Sequence, residues 1–204
     1  DLSYYCNEIQ FEHKNREDTM EFSRTKRVAS GDSKEINDAI DDLPGSGGVV
    51  IVEEGTYTIN ANNKLDDTLD NTIYVPSNVR LIGWGNVILN VTARVPAIMN
   101  DDQSNGDERI VISGFKIEID TTTLQDEYNQ KVIHLKNASN CIIEKNYITC
   151  ISSYGCDYNA NAIFIEGESG KESNGNIINN NYIVDFGKAY PGLNTIIYGY
   201  GIQL

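Results

Sequence analysis

"NCIIEKNYITC", Asn140 to Cys150, and "GNIINNNYIVD", Gly175 to Asp185, are two copies of one pattern set 35 residues apart. In each, a pair of isoleucines leads through polar residues into Asn-Tyr-Ile. Neither copy has apolar residues at helical spacing, and a buried amide without a partner is costly. The triplet Asn179 to Asn181 is therefore either a polar site or the punctuation of a repeat.

The chain upstream points to the repeat. Ile177-Ile178 aligns with Ile142-Ile143, then Val111-Ile112, then Leu81-Ile82, at spacings of 35, 31 and 30 residues. Each pair leads through a polar or glycine kink into a second run: Tyr182-Ile183, Tyr147-Ile148, Lys116-Ile117, Val87-Ile88. A third run precedes each pair, at 72–75, 97–99, 132–135, 162–165 and 201–204. A unit of three short strands cannot bury its own apolar side chains, whereas stacked units bury them as one column. That arrangement is a parallel β-helix. Alternation points Ile73, Val75, Ile98, Ile133, Leu135, Ile163, Ile165, Ile202 and Leu204 inward. It also sets Asn181 above Asn146 at the turn between second and third strands. Asparagine tolerates the left-handed backbone expected there, and stacked amides can bond coil to coil. Asn179 and Asn180 match Glu144 and Lys145 and face water. An antiparallel sandwich would show hairpin signals between adjacent runs, but Asn105-Gly106 and Asn174-Gly175 fall in long connections.

The 204 residues suffice for one domain with a real core. A net charge of −14 disfavours nucleic acid and anionic membrane surfaces. It fits simple solubility, or else divalent-cation binding or a cationic partner. No apolar run is long enough for a membrane-spanning helix. Among Cys6, Cys141, Cys150 and Cys156 there is no CxxC pair, which argues against structural zinc. Cys150 and Cys156 flank a short loop and can pair outside the cell, while Cys141 can equally be a small buried apolar residue. Asn90 and Asn137 open sequons that permit glycosylation of a secreted chain.

Three regions are expected. Residues 1–29 form an N-terminal extension of two short strands around a polar turn near Asn15 to Asp18. Residues 30–48 hold a helix and turn: Ile36, Ala39, Ile40 and Leu43 recur at helical spacing behind an Asp32-Ser33 start, and the helix would seal one end of the coil stack. Residues 49–204 form the coils. Asp1 reads as a processed or truncated start, and the repeat is expected to continue past Leu204 or to meet a partner, including a second copy, at its open end.

"GDSKEINDAIDDLPGSGGVVIVEEGTYTI" followed by "IYVPSNVRLIGWG" resembles the opening module of the pectin-lyase-like superfamily. "VIHLKNASNCIIEKNYI" and "AIFIEG…GNIINNNYI" resemble that group's parallel β-helix repeats. The resemblance covers roughly residues 30 to 204. It implies an all-β fold, a right-handed single-stranded parallel β-helix with an N-terminal capping helix. It is weak for activity, since the superfamily includes lyases, hydrolases, epimerases, viral tailspikes and non-catalytic surface proteins.

The galacturonase-like branch carries paired aspartates before its first-sheet strands, because inverting hydrolysis needs an acid and a base across the sugar. Lys131 and Ala160-Asn161 stand there instead, and Gly199-Tyr200-Gly201 replaces that branch's Gly-His-Gly. Lyase chemistry would call for Ca²⁺ and a basic residue. Asp101, Asp102, Asn105 and Asp107 in "DDQSNGDE" are the candidate Ca²⁺ ligands, although Ile112 occupies the twelfth position where a calcium loop needs glutamate. A solvated acidic loop is the other reading, and Asp66, Asp67 and Asp70 form a second acidic cluster. Arg80, Arg94 and Arg109 are scattered over different coils.

The outward row of the first sheet is Tyr74, Met99, His134, Phe164 and Gln203. If exposed, this aromatic and apolar row marks a contact site such as a glycan groove, with Tyr74, His134, Phe164 and Gln203 as the binding residues. If a connection such as 120–130 folds over it, the row is packing. His134 has no partner visible in sequence, so no triad is expected. The chain is thus expected to be an extracellular or cell-surface protein that binds polysaccharide and processes it only if catalytic groups lie elsewhere. The alternative is a non-catalytic envelope protein, adhesin or spike.

Overall fold

The computed structural model describes residues 24–59, 71–92, 95–120, 131–151, 160–184 and 200–203. They form a parallel β-solenoid. Its first elements are β1 (Thr25–Val28), α1 (Ser33–Asp41), β2 (Gly48–Ile59), β3 (Ile73–Val75), β4 (Val79–Val91), β5 (Ile98–Asn100) and β6 (Val111–Ile119). There follow β7 (Lys131–Lys136), β8 (Ile142–Glu144), β9 (Tyr147–Cys150), β10 (Asn161–Glu166), β11 (Ile177–Asn179), β12 (Tyr182–Val184) and β13 (Tyr200–Gln203). One sheet runs β1-β2-β4-β6-β8-β11, with β9 pairing β6 and β12 pairing β9. The other runs β3-β5-β7-β10-β13, and the strand pairs in both sheets are parallel.

The repeat produces this register because residues one coil apart fall side by side. Val50, Leu81, Ile112, Ile143 and Ile178 form one inward ladder. Tyr57, Leu89, Ile117, Ile148 and Ile183 form a second. Ile73, Ile98, Ile133, Ile163 and Ile202 form a third, in the other sheet. Each fully buried aliphatic contributes roughly 1.5–3 kcal/mol, which backbone ordering largely offsets. The expected inward residues from Ile73 to Ile165 are buried, but Ile202, on the last described strand of its sheet, is exposed. Leu204 lies outside the described residues.

Corners decide where the chain can bend. Gly47, Asn78, Arg109, Asn140 and Gly175 align at one corner, all with positive φ. A Cβ on Gly47 would sit 2.3 Å from the Asn78 carbonyl oxygen, so glycine is required there. At the second corner the left-handed residues are Gly114, Lys145 and Asn180. The expectation had assigned that conformation to Asn146 and Asn181, one residue later. Those two asparagines instead point inward as a ladder. Asn181 Oδ1 accepts from the Asn146 backbone N–H and Nδ2, both at 3.0 Å, and Asn181 Nδ2 donates to the Ile143 carbonyl at 2.8 Å. Asn146 in turn donates to the Ile112 carbonyl and accepts from the Phe115 N–H, each at 3.1 Å. The opening triplet is a coil junction.

The helix is nearly as expected. Asp32 is the N-cap, and its side chain and that of Glu35 complete a capping box. Ile36 and Ile40 are buried in the core. Asn37 bonds to the edge of the second sheet: its Oδ1 accepts from the Tyr74 N–H at 3.0 Å and its Nδ2 donates to the Thr72 carbonyl at 2.8 Å. A carboxamide offers the same donor and acceptor as a peptide group, so Asn37 bonds β3 as a neighbouring strand would, on the side where no described strand pairs with it. Strand β1, assigned in sequence to the extension, pairs in parallel with β2 and belongs to the solenoid. The expected strand pair around Asn15 to Asp18 lies outside the described residues.

Candidate functional site

The expected row exists in register. Tyr74 pairs with Met99, Met99 with His134, His134 with Phe164, and Phe164 with Gln203. It is not an open shelf, however. His134 is 6% exposed, Met99 is buried, and Tyr74 and Phe164 are half-buried. Ala97, Val132 and Ala162, which share the outward parity, are fully buried as well. The connection expected to cover the row, 120–130, lies outside the described residues beyond Asp120, and nothing is described of the Gln203 side chain.

His134 has a carboxylate partner that the sequence reading missed. Its Nε2 lies 2.8 Å from Glu166 Oε1, and Gln103 Nε2 lies 3.4 Å from Nδ1. A donating Gln103 amide makes Nδ1 the acceptor and places the proton on Nε2, facing Glu166. Lys131 Nζ sits 3.5 Å from the same Glu166 oxygen and 4.2 Å from the centre of the Phe164 ring. Burial first, then the Lys131 charge, lower the His134 pKa against the opposing pull of Glu166. Burial pushes Glu166 up, but His134 and Lys131 outweigh it and leave the carboxyl below its usual range. With both ring nitrogens in contact, His134 ties its strand to Glu166 of the next coil and to Gln103. The usable signal was register: Glu166 lies opposite Lys136 and shares the outward parity of Phe164.

The acidic loop folds on itself. Asp107 Oδ1 accepts from the Ser77 N–H and hydroxyl, both at 2.8 Å, and Oδ2 accepts from Asn100 Nδ2 and the Asp102 N–H. Asp102 accepts from the Ser104 and Asn105 N–H groups and from Asn105 Nδ2. Burial, then Asp107, raises the Asp101 pKa. Ca²⁺ needs six to eight converging oxygens, about the reverse of carboxylates already engaged with N–H groups. The Asp102 and Asp107 carboxylates are engaged in this way, and no cluster of three or more metal-ligating side chains occurs among the described residues. Asp66, Asp67 and Asp70 lie outside them.

Asn137 is likewise engaged. It is 5% exposed, its Nδ2 donates to the Gln103 carbonyl, and its Oδ1 accepts from the Glu168 N–H. A glycan on that nitrogen would have to displace the contact with Gln103. Asn90 is half-buried on β4, with Oδ1 buried and lacking a hydrogen-bond partner. Cys141 is a buried free thiol raised in pKa by burial, matching the apolar alternative. Cys150 is disulfide-bonded, and its partner lies outside the described residues, as do Cys6 and Cys156.

Among the described residues, the most exposed aromatic side chains lie on the other sheet. Tyr147 and Tyr182, in register on β9 and β12, stack with ring centres 5.3 Å apart and planes 27° apart. They are 37% and 63% exposed. Lys116, the next residue in the row, places Nζ 6.0 Å from the Tyr147 ring centre. Trp84, 68% exposed, sits where β4 bulges at the corner preceding this row. Gly83 and Gly85 flank it, and a Cβ on Gly83 would lie 2.5 Å from the Gly114 carbonyl oxygen. The signal was present in sequence: if Ile148 and Ile183 point inward, Tyr147 and Tyr182 must point outward.

No protein-family profile, curated protein or solved structure matches the chain. The functional reading therefore rests on the geometry alone. No helix among the described residues is long and apolar enough to cross a membrane.

Proposed function

We propose that this chain is a glycan-binding β-solenoid displayed outside the cell, and that the exposed Tyr147–Tyr182 stack is its contact surface. That stack is the observation that carries the reading: two aromatic rings fixed by strand register on a rigid face, with polar residues around them. Sugar rings pack their apolar C–H faces against aromatic rings, and exposed aromatics held in place bind at little entropic cost. The row of Tyr74, His134, Phe164 and Gln203 on the β3-β5-β7-β10-β13 sheet is a weaker candidate, since its centre is buried. Binding is favoured over cleavage because Glu166 is held ionised and His134 is engaged at both nitrogens. The disulfide at Cys150 supports an oxidising compartment. The general preference for right-handed crossovers between parallel strands supports a right-handed helix of the pectin-lyase-like type. The contacts of α1 with the β3 edge support its role as the N-terminal cap.

Retention on insoluble polysaccharides tests the assignment. Tyr182→Ala and Tyr147→Ala should each weaken retention about fivefold or more, with Phe164→Ala close to wild type. Loss on Phe164→Ala alone would move the site to the other sheet.

A structural role remains the second reading, and one observation favours it. β11 is the last described strand of its sheet, with Ile177 exposed and a cleft of about 670 Å³ beside it lined in part by Ile165, Ile178 and Ile202. A strand edge with exposed aliphatics can pair with another chain. Light scattering that shows ordered association of the protein, lost on Ile177→Lys, would support this role.

A further inference from the structure

The charges around the tyrosine stack decide which glycans it can accept, an inference that rests on the glycan-binding reading above. Lys116, beside Tyr147, is paired with Glu118 at 2.5 Å. Lys145, at the corner before Tyr147, is paired with Glu144 at 3.1 Å. Arg27 is paired at 3.0 Å with Glu53, the residue opposite Trp84. Among the described residues, the cations nearest the exposed rings are thus already neutralised by carboxylates of the same surface. Arg80 is exposed on this sheet too, but it stands in the separate row of Val49 and Val111. Among the described residues just before Tyr182, the amides Asn179 and Asn180 are exposed.

A uronate or sulfate on this surface would have to displace Glu118 or Glu144 from its lysine. It would do so in the field of a chain carrying a net charge of −14. An uncharged sugar meets neither obstacle. Its C–H face stacks on the tyrosine, its hydroxyls donate to the Glu118 and Glu144 carboxylates, and the asparagine amides can donate or accept. The rings follow one another along the solenoid axis with their centres 5.3 Å apart, so Tyr147 has Tyr182 against it and Lys116 Nζ over its ring, and Tyr182 is the more exposed of the two. We infer that the Tyr147–Tyr182 surface is selective for uncharged glycans and rejects uronate and sulfated chains.

A printed array carrying neutral, uronate-containing and sulfated oligosaccharides, probed with the wild-type protein, reads the selectivity directly. Neutral chains should bind at least about tenfold more tightly than acidic chains of equal length, and Tyr182→Ala should weaken the neutral signal about fivefold or more. The double variant Glu118→Gln with Glu144→Gln frees two lysines and should raise uronate binding about fivefold or more. Acidic chains bound as tightly as neutral ones, and weakened by Tyr182→Ala, would overturn the selectivity and leave the glycan-binding site standing. Absence of binding to every glycan, or binding indifferent to Tyr182→Ala, would overturn both.

Discussion

Asn146 shows what a single side chain does in a solenoid. Its carboxamide joins three coils, bonding to Ile112 and Phe115 on one side and to Asn181 on the other. The side chain is almost wholly buried, so no water can replace those contacts. Asn146→Ala should cost about 2–4 kcal/mol, because the Ile112 carbonyl and Phe115 N–H lose their partner inside the protein. Asn181→Ala should cost only about 1 kcal/mol, since its position is half-buried and water can reach the freed groups. Urea unfolding of both variants measures the difference, and equal losses would contradict the burial argument. The same scale explains the missed conformation: Lys145 and Asn180 show positive φ, and a lysine gives no sequence warning of it.

At the scale of elements, α1 depends on a local signal and on one distant contact. The capping box of Asp32 and Glu35 and the buried Ile36 and Ile40 are short-range features, which is why the helix was readable. The role of Asn37 was not, because its partners are 35 and 37 residues away on a strand edge. Asn37→Ala should leave the helix folded but speed amide hydrogen exchange at Tyr74. The Ile73 N–H, which donates to the Ala97 carbonyl on the other side of the strand, should stay protected. Equal acceleration at both amides would mean that the whole edge has opened, and that Asn37 holds more than one hydrogen bond's worth of structure. The exposed tyrosines belong to this scale too. Alternation along β9 and β12 places them outward, but only strand register brings the two rings together.

For the molecule as a whole, the clamp at His134 ties stability to pH. The histidine faces Glu166, Lys131, Gln103 and Phe164, with Lys136 contributing a further positive charge. Its folded pKa lies below its ordinary 6.5, with burial as the leading cause. Below that value the unfolded chain takes up a proton that the folded chain refuses, so stability falls as pH drops from about 6.5 toward the folded pKa. Glu166, also lowered, adds a loss in the same direction below its ordinary 4.5. Melting temperature should therefore fall more steeply between pH 7 and pH 5 in wild type than in His134→Gln, and parallel curves would show that the histidine does not set the slope. The sequence by itself determined the solenoid. Apolar pairs recurring every 30 to 35 residues can be buried only by stacking, and alternation fixes which side chains point inward. It did not determine which outward surface stays open, because exposure depends on what the rest of the chain covers. Packing buried His134 and Met99, engaged Asp102, Asp107 and Asn137 in hydrogen bonds, and left Tyr147 and Tyr182 in solvent. Those outcomes rest on contacts between residues far apart in the chain, which periodicity does not encode.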